Sequence, residues 1–518
     1  MLLSRTQEKL HPLKRAAGNT VWSMLVKLFT MIIKFFTVPI VLKHYGKVDY
    51  GLIILAISLS GYMSIVNLGL PTGMIKHTAA WLGTGQLNKL IKATRSSITF
   101  YCGVGLLNFL IFLFFAHYGL HIFNIPSDKS HEFQQIFIIA AFGTLFTWPF
   151  LVLNQLLSGA EELAWLSKID IFQEIVCILV IFIAVWMDIS ITWYFLLYVI
   201  ASTFTIPFKL LKWNSYVPVL QSIRPGWYWE EFKELLYFGL GLLVIGLAFS
   251  SSMQLRPIIL AARASDGIAA VAEYQILLGI VGIVQIFQGI ISSSLLPVAS
   301  KTIARGDRKL LESIIYKVTK YVWTALALII FAVMMVSDRM LTVYVGHQYA
   351  NLAPWLAIWL SAFFFLYLTP ITSVVMGTGN VNLLIFTSPI AALVSLSLAW
   401  ALAPKFNIGA VAISTVAHYG IQFLVYHIYY LPRVLNISPI RMLTRYFLPP
   451  VVAGTIMVIV GRTMATALIA ENPYLWILIA LISGVSFYIL YIFMFSIKPS
   501  ELFDSYKKLR AKEVGIGI

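Results

Sequence analysis

The sequence predicts an all-α integral membrane protein of about 14 transmembrane helices, and three observations carry that prediction. Mean hydropathy is +0.87, charged residues make up only 11% of the 518 positions, and the apolar runs extend over roughly 20 residues without a strand's alternation. In hydrocarbon every backbone N–H and C=O must be satisfied within the protein, which leaves helices or closed barrels. Unbroken apolar runs of spanning length select helices over the alternating segments of a barrel.

The first six expected spans run near Asn19–Leu42, Tyr50–Ile75, Ser96–Tyr118, Phe133–Leu157, Ile169–Met187 and Ile191–Leu211. A polar interval follows, and six more lie near Tyr237–Ala261, Ile268–Val298, Thr319–Val336, Ala353–Met376, Val381–Ala401 and Gly409–Leu431. A last pair, near Leu443–Ala467 and Tyr474–Ile497, is expected to pack outside the twelve-helix core. The expected domains are thus an N-terminal six-helix lobe (1–211), a cytoplasmic linker (212–236), a C-terminal six-helix lobe (237–431), and an extra helix pair with a basic cytoplasmic tail (432–518).

Orientation follows from the cations, because cytoplasmic loops collect Lys and Arg. With the N-terminus inside, 27 cations fall on the cytoplasmic side and only seven opposite, namely Lys43, Lys47, Lys129, Arg263, Arg339, Lys405 and Arg462. Both termini are therefore expected in the cytoplasm. The net charge of +16 is explained by topology, so nucleic-acid binding is not expected. The basic N-terminal stretch leads into a full-length span and reads as an uncleaved segment. Cys102 and Cys177 both fall in apolar runs without metal-ligand or disulfide spacing and read as core filling. No metal and no cofactor is expected, and neither Gly83-Thr84-Gly85 nor Thr378-Gly379-Asn380 continues into a nucleotide-binding Gly-Lys-Ser/Thr loop.

An internal repeat organises the chain. Val38-Pro39-Ile40-Val41-Leu42 returns as Arg256-Pro257-Ile258-Ile259-Leu260, with the two prolines 218 positions apart. Asp49-Tyr50 returns as Glu273-Tyr274, Leu70-Pro71 as Leu296-Pro297, and the turn around Gly159 as that around Gly377. Six spans separate equivalent positions, so the two lobes share an orientation and are related by a pseudo-twofold axis along the membrane normal.

These residues also carry a resemblance. Phe36-Thr-Val-Pro-Ile-Val-Leu-Lys-His-Tyr-Gly46, Asp49-Tyr50-Gly51, Ser60-Gly61-Tyr62 and Asn67-Leu68-Gly69-Leu70 stand in the first half. Glu273-Tyr274, Leu296-Pro297, Ala304-Arg305-Gly306-Asp307 and Met376-Gly377-Thr378-Gly379-Asn380 stand in the second. Over most of the first twelve spans the chain resembles the polysaccharide (O-antigen-type) flippases of the multidrug/oligosaccharidyl-lipid/polysaccharide (MOP) transporter superfamily. The resemblance implies a MATE-like fold working by alternating access. It implies a polyprenyl-diphosphate-linked oligosaccharide moved from the inner to the outer leaflet of a bacterial inner membrane for polysaccharide biosynthesis. Membrane lipids, a polysaccharide polymerase and glycosyltransferases are the partners it implies.

Independently of family, ionisable groups inside spans cost several kcal/mol unless they face a cavity or a partner. Lys27 and Lys34 lie on nearly one face of the first span, and Arg256 lies near the outer end of the repeat-equivalent seventh. Together they are the candidate substrate-binding residues for an anionic ligand, set against the plainer reading that each snorkels to an interface. Glu174, Asp170 and Glu273 are candidates for ion coupling or for pairing with these cations. His418 reads as a packing residue before a proton relay. The alternative within the same architecture is an ion-coupled multidrug or organic-cation antiporter, which would usually need an acidic first-lobe cavity. An enzyme is not expected, because the longest internal polar interval is too short for a catalytic domain.

Overall fold

In a computed structural model the backbone is described at every position except 1, 68, 305–307, 379–381, 469–471 and 496–518. Side chains are described outside those positions and outside 2–25, 27–28, 31, 34, 64–65, 238–251, 286, 288–304, 309–310, 314 and 377. The described residues are helical with short connections, and they contain no strand. The chain divides into two compact units, Met1–Ile280 with Ser388–Val411, and Val281–Thr387 with Ala412–Ile518.

The first unit begins with α1 (Leu2–Met63), two helical segments joined at Gly46. Gly46 has φ 82 and ψ 172, a conformation that costs a side-chain-bearing residue dearly, so the glycine sets the bend between the first two expected spans. The second expected span is not continuous as read from sequence. A 3₁₀ turn at Ser64–Asn67 and left-handed Gly69 end it, and Pro71 in the first turn of α2 (Leu70–Gly83) restarts the chain. There follow α3 (Leu87–Ile122), α4 (Ser130–Gly159), α5 (Leu163–Trp186), α6 (Ile191–Thr203), α7 (Ile206–Asn214), α8 (Val219–Ser222), α9 (Trp229–Arg263) and α10 (Ile268–Ala304), of which the first unit holds the part up to Ile280, together with most of α14 (Asn382–Phe406).

Within this unit α3 lies along α4, and α1 packs on α5 and α9. Leu70, Met74, Tyr101, Trp148, Trp213 and Leu235 meet in one buried core that draws on α2, α3, α4, α7 and α9. One end is stitched by polar contacts to the expected linker. Glu234 lies 4.0 Å from both His77 and Lys89, Glu231 lies 3.3 Å from Lys92, and Arg95 Nε donates to the Gln221 carbonyl at 2.7 Å. Burial, and then the charge of Lys76, hold His77 below the usual histidine value, with Glu234 opposing.

The second unit contains α11 (Arg308–Val345), α12 (Ala353–Ser361), α13 (Thr369–Thr378), the start of α14 (Asn382–Phe406), most of α15 (Ile408–Val425), α16 (Pro439–Met442), α17 (Leu448–Leu468) and α18 (Pro473–Phe495). Its spine is α11, against which both helices of the C-terminal pair pack. Trp323 is fully buried, stacks on Phe447 and donates its Nε1–H to the Phe447 carbonyl at 3.0 Å. Tyr488 donates to the Thr324 carbonyl at 2.8 Å. The close pass depends on Gly461, since a Cβ there would stand 2.1 Å from Met335 Sδ and 2.8 Å from the Ala480 carbonyl.

Among the described residues eleven segments are long and apolar enough to cross a membrane. They coincide with the expected spans other than the first, which falls in α1, the second, which is divided between α1 and α2, and the seventh, which falls in α9. The molecule is a multi-pass membrane protein.

Candidate functional site

The centre of interest in the first unit is where α9 meets α10, because the repeat motif Arg256-Pro257 and its partner Glu273-Tyr274 come together there. Pro257 has no N–H, so the Met253 carbonyl four residues earlier loses its helical donor. The Tyr274 hydroxyl lies 3.5 Å from that carbonyl and donates to it. Tyr274 is buried, and a neighbouring helix thus satisfies a backbone group that proline has released, as helices in a low-dielectric surrounding require. The same turn carries Arg256.

Arg256 is 0% exposed, the most completely buried cation among the described residues. Its guanidinium folds back on its own helix, with Nη1 3.4 Å from Met253 Sδ and Nη2 3.4 Å from Ser252 Oγ. A guanidinium stays protonated in any protein environment, so this is a permanent positive charge inside an expected span. On the preceding turn the Gln254 amide lies over Gly61 of α1, where a Cβ would fall 2.8 Å from Oε1. This contact ties α9 to the end of α1.

The other predicted residues do not join Arg256 among the described contacts. Lys27 and Lys34 lie in α1, and their side chains are outside the described residues. Glu273 is buried beside Tyr274 and faces Lys47, with the nearest N···O distance 3.8 Å. Asp170 meets Lys209 of α7 at 3.3 Å, and the Lys209 side chain is only 8% exposed. Glu174 stands one turn further along α5 within electrostatic range of Tyr198. His418 is buried in α15 of the other unit and sets its ring edge against Tyr419. Among the described residues no cluster of three or more His, Cys, Asp or Glu offers a metal site.

Three participants appear in the sequence only as repeat landmarks or outer-side cations, not as site candidates. Tyr274 serves the carbonyl freed by Pro257, and the signal was available, since a proline inside a span always asks who replaces its N–H. Asp49 is buried and held by Lys129 Nζ, at 2.7 Å from Oδ1 and 2.9 Å from Oδ2. Lys47 does the corresponding work for Glu273. The repeat therefore places an acid-Tyr pair in each half, and each acid has a lysine partner. Gly51, next in the motif, brings α1 against the start of α10, since a Cβ would lie 2.3 Å from the Ile268 carbonyl.

Comparison with known proteins follows this geometry. A profile of the family described as "Polysaccharide biosynthesis protein" matches residues 16–303. No curated protein sequence matches the chain. Among solved structures, "Lipid II flippase MurJ, inward closed conformation" is similar with a TM-score of 0.67 and 14% identity, covering 92% of this chain and 98% of that one. An inward-facing multidrug resistance MATE family transporter of the MOP superfamily gives a TM-score of 0.62 at 14% identity, covering 78% and 96%. A MOP superfamily transporter from Pyrococcus furiosus gives 0.53 at 13%, covering 80% and 94%. At such identities the likeness shows the fold, which is the one these MOP transporters share.

Proposed function

This chain belongs to the polysaccharide biosynthesis protein family, and from that premise we propose that it is a flippase for a polyprenyl-diphosphate-linked oligosaccharide. It carries the lipid from the inner to the outer leaflet of a bacterial inner membrane by alternating access, with both termini in the cytoplasm. The observation that carries this reading is Arg256, a permanently charged guanidinium fully buried in the helix that opens the second repeat. A buried cation is suited to an anion that arrives with its own hydrocarbon. A diphosphate offers planar pairs of oxygens that a guanidinium engages with two parallel N–H donors. Lys27 and Lys34 supply the matching charge from the helix that opens the first repeat. Glu174 and Asp170 act in ion coupling or as charge partners at the base of α5, and Glu273 does so beside Tyr274. The fold shared with a structure titled as a lipid II flippase is consistent with a lipid-linked cargo.

The test is leaflet exchange of a fluorescent polyprenyl-diphosphate oligosaccharide in proteoliposomes. Arg256→Ala, Lys27→Ala and Lys34→Ala are each expected to lose about tenfold to a hundredfold in rate, the worth of one charge-assisted contact. Arg256→Lys keeps the charge but not the fork and falls between. A wild-type protein that ignores this lipid and exchanges organic cations across the membrane would replace the flippase with the antiporter.

A further inference from the structure

At one end of the second unit, five side chains of α11, α17 and α18 form a closed circuit. Arg462 Nη2 donates to Asp338 Oδ1 at 2.5 Å, and Arg462 Nε donates to the Met335 carbonyl at 2.9 Å. Arg339, next to Asp338, places its guanidinium over the Trp476 ring, 5.7 Å from the centroid. Trp476 Nε1 donates to Thr466 Oγ1 at 3.4 Å, and Thr466 donates to the Arg462 carbonyl at 2.8 Å, which returns the circuit to its start. Two guanidiniums and one carboxylate leave the circuit with a net positive charge. Glu471, in the α17 to α18 connection, lies outside the described residues.

The depth of this patch is fixed by the helices. Arg339 lies six residues before the end of α11, Arg462 six before the end of α17, and Trp476 three after the start of α18. At 1.5 Å per residue these are roughly 5–10 Å from the helix ends, which is headgroup depth and not the centre of the hydrocarbon. Met464 and Leu468 of α17 and Tyr474 and Leu475 of α18 are exposed at the same helix ends. Arg462 uses two of its five N–H donors on the described residues, and the described contact of Arg339 is the Trp476 face.

We propose that this patch binds the phosphate of a membrane phospholipid, with Arg339 and Arg462 donating to its oxygens and the acyl chains lying on those exposed side chains. Charge selects the occupant: a net cation at headgroup depth attracts an anionic lipid over a zwitterionic one. The indole holds Arg339 by its ring face and leaves the guanidinium edge for the phosphate. The C-terminal helix pair thereby gains a role as a lipid-bound strut on α11, independent of how the cargo moves.

The experiment transfers full-length protein from nanodiscs of equimolar phosphatidylglycerol and phosphatidylcholine into detergent and counts retained lipids by native mass spectrometry. Wild type is expected to retain phosphatidylglycerol selectively. The Arg339→Gln/Arg462→Gln double variant is expected to drop its occupancy about tenfold or more, and Arg339→Lys to retain part of it. Because Arg462→Gln also strands Asp338, Arg339→Gln alone is the control if the double variant does not fold, and it still lowers occupancy. A photoreactive phosphatidylglycerol is expected to label α17 or α18 in wild type. Equal retention of the two lipids overturns the proposal, as does undiminished retention in Arg339→Gln or equal binding of diacylglycerol, which has the chains and no phosphate. Displacement of phosphatidylglycerol by a polyprenyl diphosphate at lower concentration would assign the patch to the cargo and overturn the phospholipid reading.

Discussion

The Tyr274 hydroxyl and Pro257 make one element, and a double-mutant cycle measures it. Tyr274→Phe removes the donor while keeping the ring, so the half-buried Met253 carbonyl is left without the partner that replaced the missing proline N–H. An unsatisfied buried carbonyl costs about 1–3 kcal/mol, and the 3.5 Å contact places this one near the lower end, at about 1 kcal/mol. Pro257→Ala restores a backbone N–H four residues from Met253, so the carbonyl no longer needs tyrosine. In the Pro257→Ala background, Tyr274→Phe is therefore expected to cost about 0.5 kcal/mol or less, a coupling of at least half the single effect. The assay is reversible unfolding in mixed micelles for wild type, both single variants and the double variant. Additive effects of Tyr274→Phe and Pro257→Ala would refute the argument, because they would mean that the hydroxyl does not serve the carbonyl that proline frees.

Three further outcomes follow from the same geometry. Lys129→Met strands the buried Asp49 carboxylate and is expected to destabilise by about 2–3 kcal/mol, whereas Lys129→Met combined with Asp49→Asn recovers more than half, read from the same unfolding curves. Gly461→Leu drives a side chain into Met335 and the Ala480 carbonyl, and is expected to cost at least about 2 kcal/mol and to raise proteolysis between α17 and α18. His77 holds its proton less tightly when folded than when unfolded. Its neutral form therefore contributes stability above about pH 6.5, and that contribution is lost as pH falls through the unfolded value toward the lower folded one. His77→Gln is expected to flatten the melting temperature between pH 7 and pH 5, and an unchanged slope counts against this assignment.

The helical membrane fold was legible because its determinants are local and additive: a run of apolar residues needs no partner to declare itself. Expected spans three to six and eight to fourteen coincide with helical segments of membrane-crossing length for that reason, although the sixth is broken between α6 and α7 and the tenth between α12 and α13. The break after Met63 was missed because hydropathy is blind to it. Gly69 and Pro71 sit in an apolar stretch, and only their backbone preferences, a left-handed φ and a missing N–H, interrupt the helix. The bend at Gly46 was placed between two spans, but its sharpness rests on one dihedral that composition does not record.

Site residues were legible by type and much less by partner. Arg256 drew attention because an arginine in an apolar run is costly wherever it points, and its complete burial follows from its fold-back onto Ser252 and Met253. Which acid meets which base is a property of helix packing, so Lys209 as the partner of Asp170, or Lys129 as that of Asp49, had no signature in spacing along the chain. Tyr274 lies between these cases. It stood in the repeat as the counterpart of Tyr50 and Pro257 as that of Pro39, yet the two positions were seventeen residues apart and were joined only by the contact between Tyr274 and the Met253 carbonyl. In the second half, the span that follows Pro257 brings a hydroxyl to the carbonyl the proline frees. Arg256 stands at that turn, where the helix has yielded part of its own hydrogen bonding.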